Sequence, residues 1–269
     1  VKSKTYVVSW DRVYKNSLDI DSQLFRAGLD YLVYNDSSMP ELNSNWVRAK
    51  KVFFLGHFYN SLKDFIETDY PVFIFNAGDA VYSDYIGLTK KAESILTSDP
   101  DCWAYAPSTN GTDVWSWDGS SIVESKLYPG LHLSTHTNAI WVAISRDLVE
   151  IVFKFFEWMF ENGHFDREFK HINTGWGVDS FFCALSICMD KKVYRDWNCA
   201  VGHSSDTSYD HGVAWGQMLM TIKKSVDFTT ILGIEPEKMS KTYDIMYNKV
   251  NTRRKLTLSD LYTNVDFDV

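Results

Sequence analysis

Three short stretches of this sequence carry groups that could do chemistry. The first is Val72-Phe73-Ile74-Phe75-Asn76-Ala77-Gly78-Asp79. Its apolar half reads as a buried strand, and the strand ends abruptly in an amide, two small residues and a carboxylate. Ligands of open α/β sheets bind at the carboxyl ends of the strands. A carboxylate and an amide at such an end can hold a divalent cation, and through it a diphosphate. The same residue types also build an ordinary strand-to-turn junction.

The second stretch is Asn173-Thr174-Gly175-Trp176-Gly177-Val178-Asp179. Its glycines let the backbone approach a ligand closely, its indole offers a flat apolar face to a sugar, and Asp179 falls on the first turn of an expected helix. The positive end of a helix favours a negative charge there. That suits a base whose strength comes from position, taking a proton from a hydroxyl as it attacks. Capping of the helix by an acidic residue is the plainer use. The third stretch is Ala200-Val201-Gly202-His203-Ser204-Ser205-Asp206-Thr207-Ser208-Tyr209. His203 ends an apolar segment and opens a polar loop, where a neutral imidazole can ligate a metal; a solitary histidine also serves structure.

The elements that must position these groups alternate in type. Strands are expected at residues 6–10, 31–34, 52–55, 72–75, 102–106 and 138–145. Helices are expected at 22–28, 45–50, 60–67, 83–97, 146–160, 177–192, 214–224 and 240–250. The clearest is the one capped by Ser145, where Leu148, Ile151, Val152, Phe155, Phe156, Met159 and Phe160 repeat at helical spacing. The helix before Asp99-Pro100 stops there because a residue preceding proline disfavours the helical region. Strands rich in Val, Phe and Ile between short helices imply βαβ units, hence an α/β fold with a mostly parallel central sheet flanked by helices. Residues 107–131, polar and rich in Ser, Gly, Asp and Trp, read as a long excursion of the kind that carries function.

Composition bounds the rest. A chain of 269 residues with 45% hydrophobic content can bury a substantial core. A formal charge of −8 argues against a dedicated nucleic-acid binder. The basic pairs at Lys50, Lys90, Lys191 and Lys223, and the cluster Arg253-Arg254-Lys255, are scattered. Aromatic residues make up 16% and include ten Trp, which suits both a core and sugar recognition. Cys102, Cys183, Cys188 and Cys199 form no CxxC pair and read as buried thiols of a reducing compartment. No apolar run reaches the ~18 residues of a membrane span. A cytoplasmic location is the expectation, and the chain, opening on Val1, is compatible with a domain of a longer polypeptide.

In order and spacing, the three stretches resemble the glycosyltransferases of the GT-A (Rossmann-like) fold, especially the inverting, family 2-like enzymes, over roughly residues 5–215. The resemblance implies a GT-A domain at 1–225, with a nucleotide-binding half at 1–100 and an acceptor half at 101–225, and a helical extension at 226–269. Phe75-Asn76-Ala77-Gly78-Asp79 matches the family's Asp-x-Asp strand end, but Asn76 and Gly78 stand where carboxylates are usual. Asp79 keeps the acid, so the family's late metal-binding histidine, matched by His203, gains weight. Mn²⁺ or Mg²⁺ held by Asp79 and His203 is implied. Gly175-Trp176-Gly177-Val178-Asp179 matches the segment that carries the catalytic base, which makes Asp179 the base. Ser9, Trp10 and Asp36 occupy positions like those that contact the nucleotide base. Gly56 and Asn60-Ser61-Leu62 look like the family's Asn-containing helix start. Asn60, Asn76, Gly78 and Trp176 complete the implied donor site. The implied activity is a hexosyltransferase type: a sugar moves from a nucleotide-diphosphate sugar, such as a UDP-sugar, to a saccharide hydroxyl with inversion.

Three other readings follow from the residues. His132-Leu133-Ser134-Thr135-His136 would put two imidazoles on one helix face, as in zinc hydrolases, but lacks the glutamate of that motif. The aromatic surplus suits a non-catalytic carbohydrate-binding module. A sugar transferase acting on nucleic-acid bases would share the donor site and differ only in its acceptor.

Overall fold

Runs of β-branched and aromatic residues pair, among the described residues, into one ten-stranded sheet. The computed structural model describes residues 2–50, 52–110, 121–169, 175–203, 210–252 and 255–263. Asn173, Thr174, the Ser204–Tyr209 half of the third stretch, the centre of the 107–131 excursion and Arg253-Arg254 lie outside the described residues. The strands are β1 (Ser3–Ser9), β2 (Asp30–Asn35), β3 (Trp46–Arg48), β4 (Val72–Ala77), β5 (Ala80–Val81), β6 (Cys102–Asn110), β7 (Ser121–Glu124), β8 (Leu131–Ser134), β9 (Trp141–Ser145) and β10 (Lys192–His203). The helices are α1 (Tyr14–Arg26), α2 (Phe53–Ile66), α3 (Tyr85–Ser98), α4 (Arg146–Glu161), α5 (Val178–Cys188), α6 (His211–Phe228), α7 (Pro236–Thr252) and α8 (Leu258–Leu261).

The expected α/β sheet flanked by helices is present, its strands in the order β3-β2-β1-β4-β9-β6-β10-β8-β7 with β5 pairing β10 off that path. Strands β1, β2, β3, β4, β6, β7 and β10 run one way, while β5, β8 and β9 run against them, so the sheet is mixed. Because the first group shares a direction, the carboxyl ends of β1, β2, β4, β6 and β10 lie along one edge. β4 is buried at every position, as a central strand covered on both faces must be.

Helix α4 behaves as its periodicity predicts. Ser145 caps it by accepting from the Leu148 N–H, and Leu148, Val152, Phe155, Phe156 and Met159 are wholly buried. Phe156 meets Phe58 and Tyr59 of α2 at ring separations of 6.3 and 5.6 Å. Each such ring contributes roughly 1.5–3 kcal/mol by leaving water. Helix α7 rides on α5, where Lys238 Nζ donates to the Cys188 carbonyl at 2.6 Å and Tyr247 Oη to Ser180 Oγ at 3.3 Å. Among the described residues no helix is long and apolar enough to cross a membrane. All four cysteines are free and buried.

Two expectations reverse between residues 45 and 55. The segment expected as helix at 45–50 contains β3, pairing with β2, and the strand expected at 52–55 is the start of α2. Aromatic and β-branched residues favour strands locally. Leu55, Phe58, Tyr59, Leu62 and Phe65, however, recur at helical spacing and are all buried, and that tertiary burial decides. The excursion also shrinks: β6 runs on to Asn110, and β7 and β8 form an antiparallel pair on the far side of β10.

Candidate functional site

The shared edge collects polar groups that a core would not hold. Ser9 ends β1 fully buried, and the Asp36 N–H, just past β2, donates to its carbonyl at 2.8 Å. Asp36 Oδ2 stands 3.2 Å from Nε2 of His57, in the second turn of α2, with the two side chains 13% and 2% exposed. The Ser9 Oγ, Asp36 Oδ1, His57 Nδ1 and Asn76 Oδ1 atoms find no hydrogen-bond partner among the described residues. Buried polar atoms are nearly always paired, so this edge concentrates unmet bonding capacity. Trp10 is half-buried and caps a single 3-10 turn, Asp11–Val13. The loops after β1 and β2 are tied together because Asp11 Oδ1 accepts from both the N–H and the hydroxyl of Ser38, each at 2.6 Å.

The turn after β4 is held from several sides. Asn76 faces Val7 of β1 and Trp141 of β9 across the sheet. Asn16 Nδ2 donates to the carbonyls of both Gly78 and Ala80 at 2.7 Å, and the Tyr85 hydroxyl also donates to Ala80. A Cβ at Gly78 would lie 2.2 Å from the Val8 carbonyl oxygen and 2.7 Å from Val13 Cγ2. A glycine is therefore required here by packing against its own chain. Gly78→Ala is expected to destabilise by about 1–3 kcal/mol, as overpacked sites do, lowering the melting temperature by roughly 2–10 °C. A calorimetric scan of the variant checks this; an unchanged midpoint would refute the close approach.

Asp79 is half-buried at the tip of this turn. From it the chain crosses into β5, whose Ala80 pairs with His203 at the end of β10. The expected carboxylate and imidazole thus belong to neighbouring backbone positions, although the His203 side chain lies outside the described set. Among the described residues no group of three or more His, Cys, Asp or Glu side chains gathers as a metal cluster. The oxygen donors described here, the Asp79 carboxylate and the buried Asn76 side-chain carbonyl, are of the type that Mn²⁺ or Mg²⁺ takes.

Gly175 and Gly177 both adopt left-handed backbone, at φ 68° and 94°. A side chain at Gly175 would strike the Phe54 ring, and one at Gly177 would crowd Met218. Gly177 starts α5, and Asp179 sits in its first turn, 22% exposed. Residues 189–191 alone join α5 to β10, so the helix runs back along the strand and its amino end lies toward the edge where β10 finishes. Asp179 Oδ1 accepts from the Ser180 N–H at 2.8 Å, while Oδ2 stands 3.5 Å from His136 Nε2. Trp176 is half-buried, its ring edge-on to His211 at 5.9 Å.

The structure therefore brings Ser9, Asp36, Asn76, Asp79 and the His203 backbone to one edge, with Asp179 on the helix end directed there. Asn60 is not among them. It lies one turn deeper in α2 than His57, and its carbonyl accepts from the Tyr34 hydroxyl. The two histidines of His132-Leu133-Ser134-Thr135-His136 do not share a helix face. His132 is in β8, stacked on Trp197 at 4.0 Å and paired with Ser121, and burial lowers its pKa. His57 and Asn16 are not legible as site residues in the sequence, and His136 is legible only as half of a zinc pair, since each acquires its partner through the fold. A groove of about 600 Å³ between β7 and the 255–263 segment lies at the opposite end of the sheet order.

No protein-family model matches the sequence, and no curated protein sequence does so either. Solved structures do. A mannosyltransferase from Pyrobaculum calidifontis in complex with GDP-Man and Mn²⁺ is 12% identical, with a TM-score of 0.52 over 97% of this chain and 78% of that one. GalNAc-T7 with UDP, GalNAc and Mn²⁺ is 11% identical, at 0.48 over 94% and 55%. A197 from STIV is 13% identical, at 0.44 over 77% and 87%. Of these three the mannosyltransferase alone exceeds 0.5, and at such identity the likeness speaks to architecture. The chain has the mixed α/β architecture of GT-A-like glycosyltransferases.

Proposed function

We propose that this protein is a glycosyltransferase that moves a sugar from a nucleoside-diphosphate sugar to an acceptor hydroxyl with inversion. The carrying observation is the single sheet edge on which Ser9, Asp36, Asn76 and Asp79 meet the end of β10. The nucleoside lies against Ser9, Trp10 and the Asp36–His57 pair, and the diphosphate lies over the turn that bears Asp79. Asp79 and His203 are the residues that would hold Mn²⁺ or Mg²⁺, which when bound stabilises negative charge on a departing diphosphate. The mannosyltransferase of the same fold was solved with a donor and a metal of this class.

Asp179 takes the proton of the acceptor hydroxyl as its oxygen attacks the anomeric carbon. The bond from that carbon to the phosphate oxygen breaks, and its electrons leave with the diphosphate. The acceptor is a saccharide whose ring lies beside Trp176. Residues 1–100 supply the donor half, 101–225 the acceptor half, and 226–269 an extension.

Thermal unfolding against a panel of UDP- and GDP-sugars with Mn²⁺ tests this reading. A ligand at ~100 times its Kd stabilises by about 2.7 kcal/mol through mass action. That raises the midpoint by roughly 5 °C or more for a chain of this size. A panel without any stabilising nucleotide sugar would sink the proposal.

A further inference from the structure

His136 is 3% exposed and lies beside a carboxylate that reaches solvent at the working edge. It belongs to residues 135–140, which link β8 to β9 and pass along α5, where Thr137 Oγ1 sits 3.5 Å from Cys183 Sγ. On that path its Nε2 comes 3.5 Å from Asp179 Oδ2, the distal oxygen, while the helix's own Ser180 N–H engages Oδ1. One oxygen is thus tied to the first helical turn, and the other faces an enclosed imidazole. An imidazole removed from water is unfavourable unless its nitrogens are engaged. An apolar residue would fill the same space at lower cost, so packing alone gives no reason for a histidine here.

Resting on Asp179 as the base, we propose that His136 is its positioning residue. In this arrangement the Nε2–H donates to Asp179 Oδ2 and fixes the rotation of the carboxylate, leaving a lone pair to meet the acceptor hydroxyl. The acceptor's proton passes to Asp179 as the acceptor oxygen bonds the anomeric carbon, and the bond from that carbon to the diphosphate oxygen breaks with its electrons leaving on the diphosphate.

The test uses hydrolysis of whichever nucleotide sugar of the panel stabilises the protein most, with Mn²⁺ present. His136→Ala is expected to lower kcat by ~10–100-fold, the range for a catalytic group displaced by up to an ångström. Donor KM should stay within about twofold of native, because the donor's proposed contacts are elsewhere. His136→Gln, whose amide nitrogen can donate from near the same position, should recover most of the rate. Native kcat in His136→Ala overturns the inference. So does a loss that follows thermal stability and appears equally in His136→Gln. Asp179→Asn run alongside separates the two readings. A native rate there removes the base itself, whereas an inactive Asp179→Asn beside an unimpaired His136→Ala removes only the role of His136.

Discussion

Asp179→Asn is expected to lower turnover by ~10²–10⁴-fold, the contribution usual for a positioned general base, while stabilisation by the donor survives. The asparagine is nearly isosteric and can still accept from the Ser180 N–H that now engages Oδ1, so α5 should keep its start. What disappears is the capacity to take a proton. The donor's proposed contacts at Ser9, Asp36 and the Asn76–Asp79 turn belong to other elements, and effects at sites without shared partners are close to independent. Turnover and melting temperature measured on one preparation therefore distinguish the outcomes. A slow enzyme with intact donor-induced stabilisation supports the base, and a near-native rate removes it. Loss of both would place Asp179 in donor binding instead.

The second large effect is expected at Asp79. Asp79→Asn should weaken UDP or GDP binding in Mn²⁺ by at least ~10–100-fold, since even an outer partner of a metal ligand is worth that much. The same substitution should leave binding in EDTA nearly unchanged. The turn itself is held by Asn16, Tyr85 and the packing of Gly78, so the substitution tests a charge and leaves the scaffold in place. Calorimetric titration with and without Mn²⁺ reads the difference. Equal nucleotide affinity of the native protein in Mn²⁺ and in EDTA would count against a metal-assisted reaction altogether.

How much of this is legible in the sequence differs by element. The β4 strand end, helix α4 with its Ser145 cap, and the start of α5 after Gly177 are each written in about a dozen or so consecutive residues, within the length of a typical helix. They emerge at or near the expected positions. Residues 45–55 go the other way because local preference for aromatic strands competes with a longer helical repeat, and burial of that repeat in the core prevails. Gly78 shows the same limit at a single residue. The neighbours that require a glycine there, Val8 and Val13, come from the first βα unit, far away along the chain.

Taken alone, the amino-acid order determined the alternation of strands and helices, the polar termination of β4 and the glycine-bracketed entry to α5. Those properties depend on spacing along the chain, where side-chain periodicity and backbone freedom act directly. Only the tertiary structure decided which polar groups meet: Asp36 with His57, Asp79's turn with the end of β10, and Asp179 with His136. Partners so far apart in sequence are set by strand order and helix packing, and no local pattern encodes them.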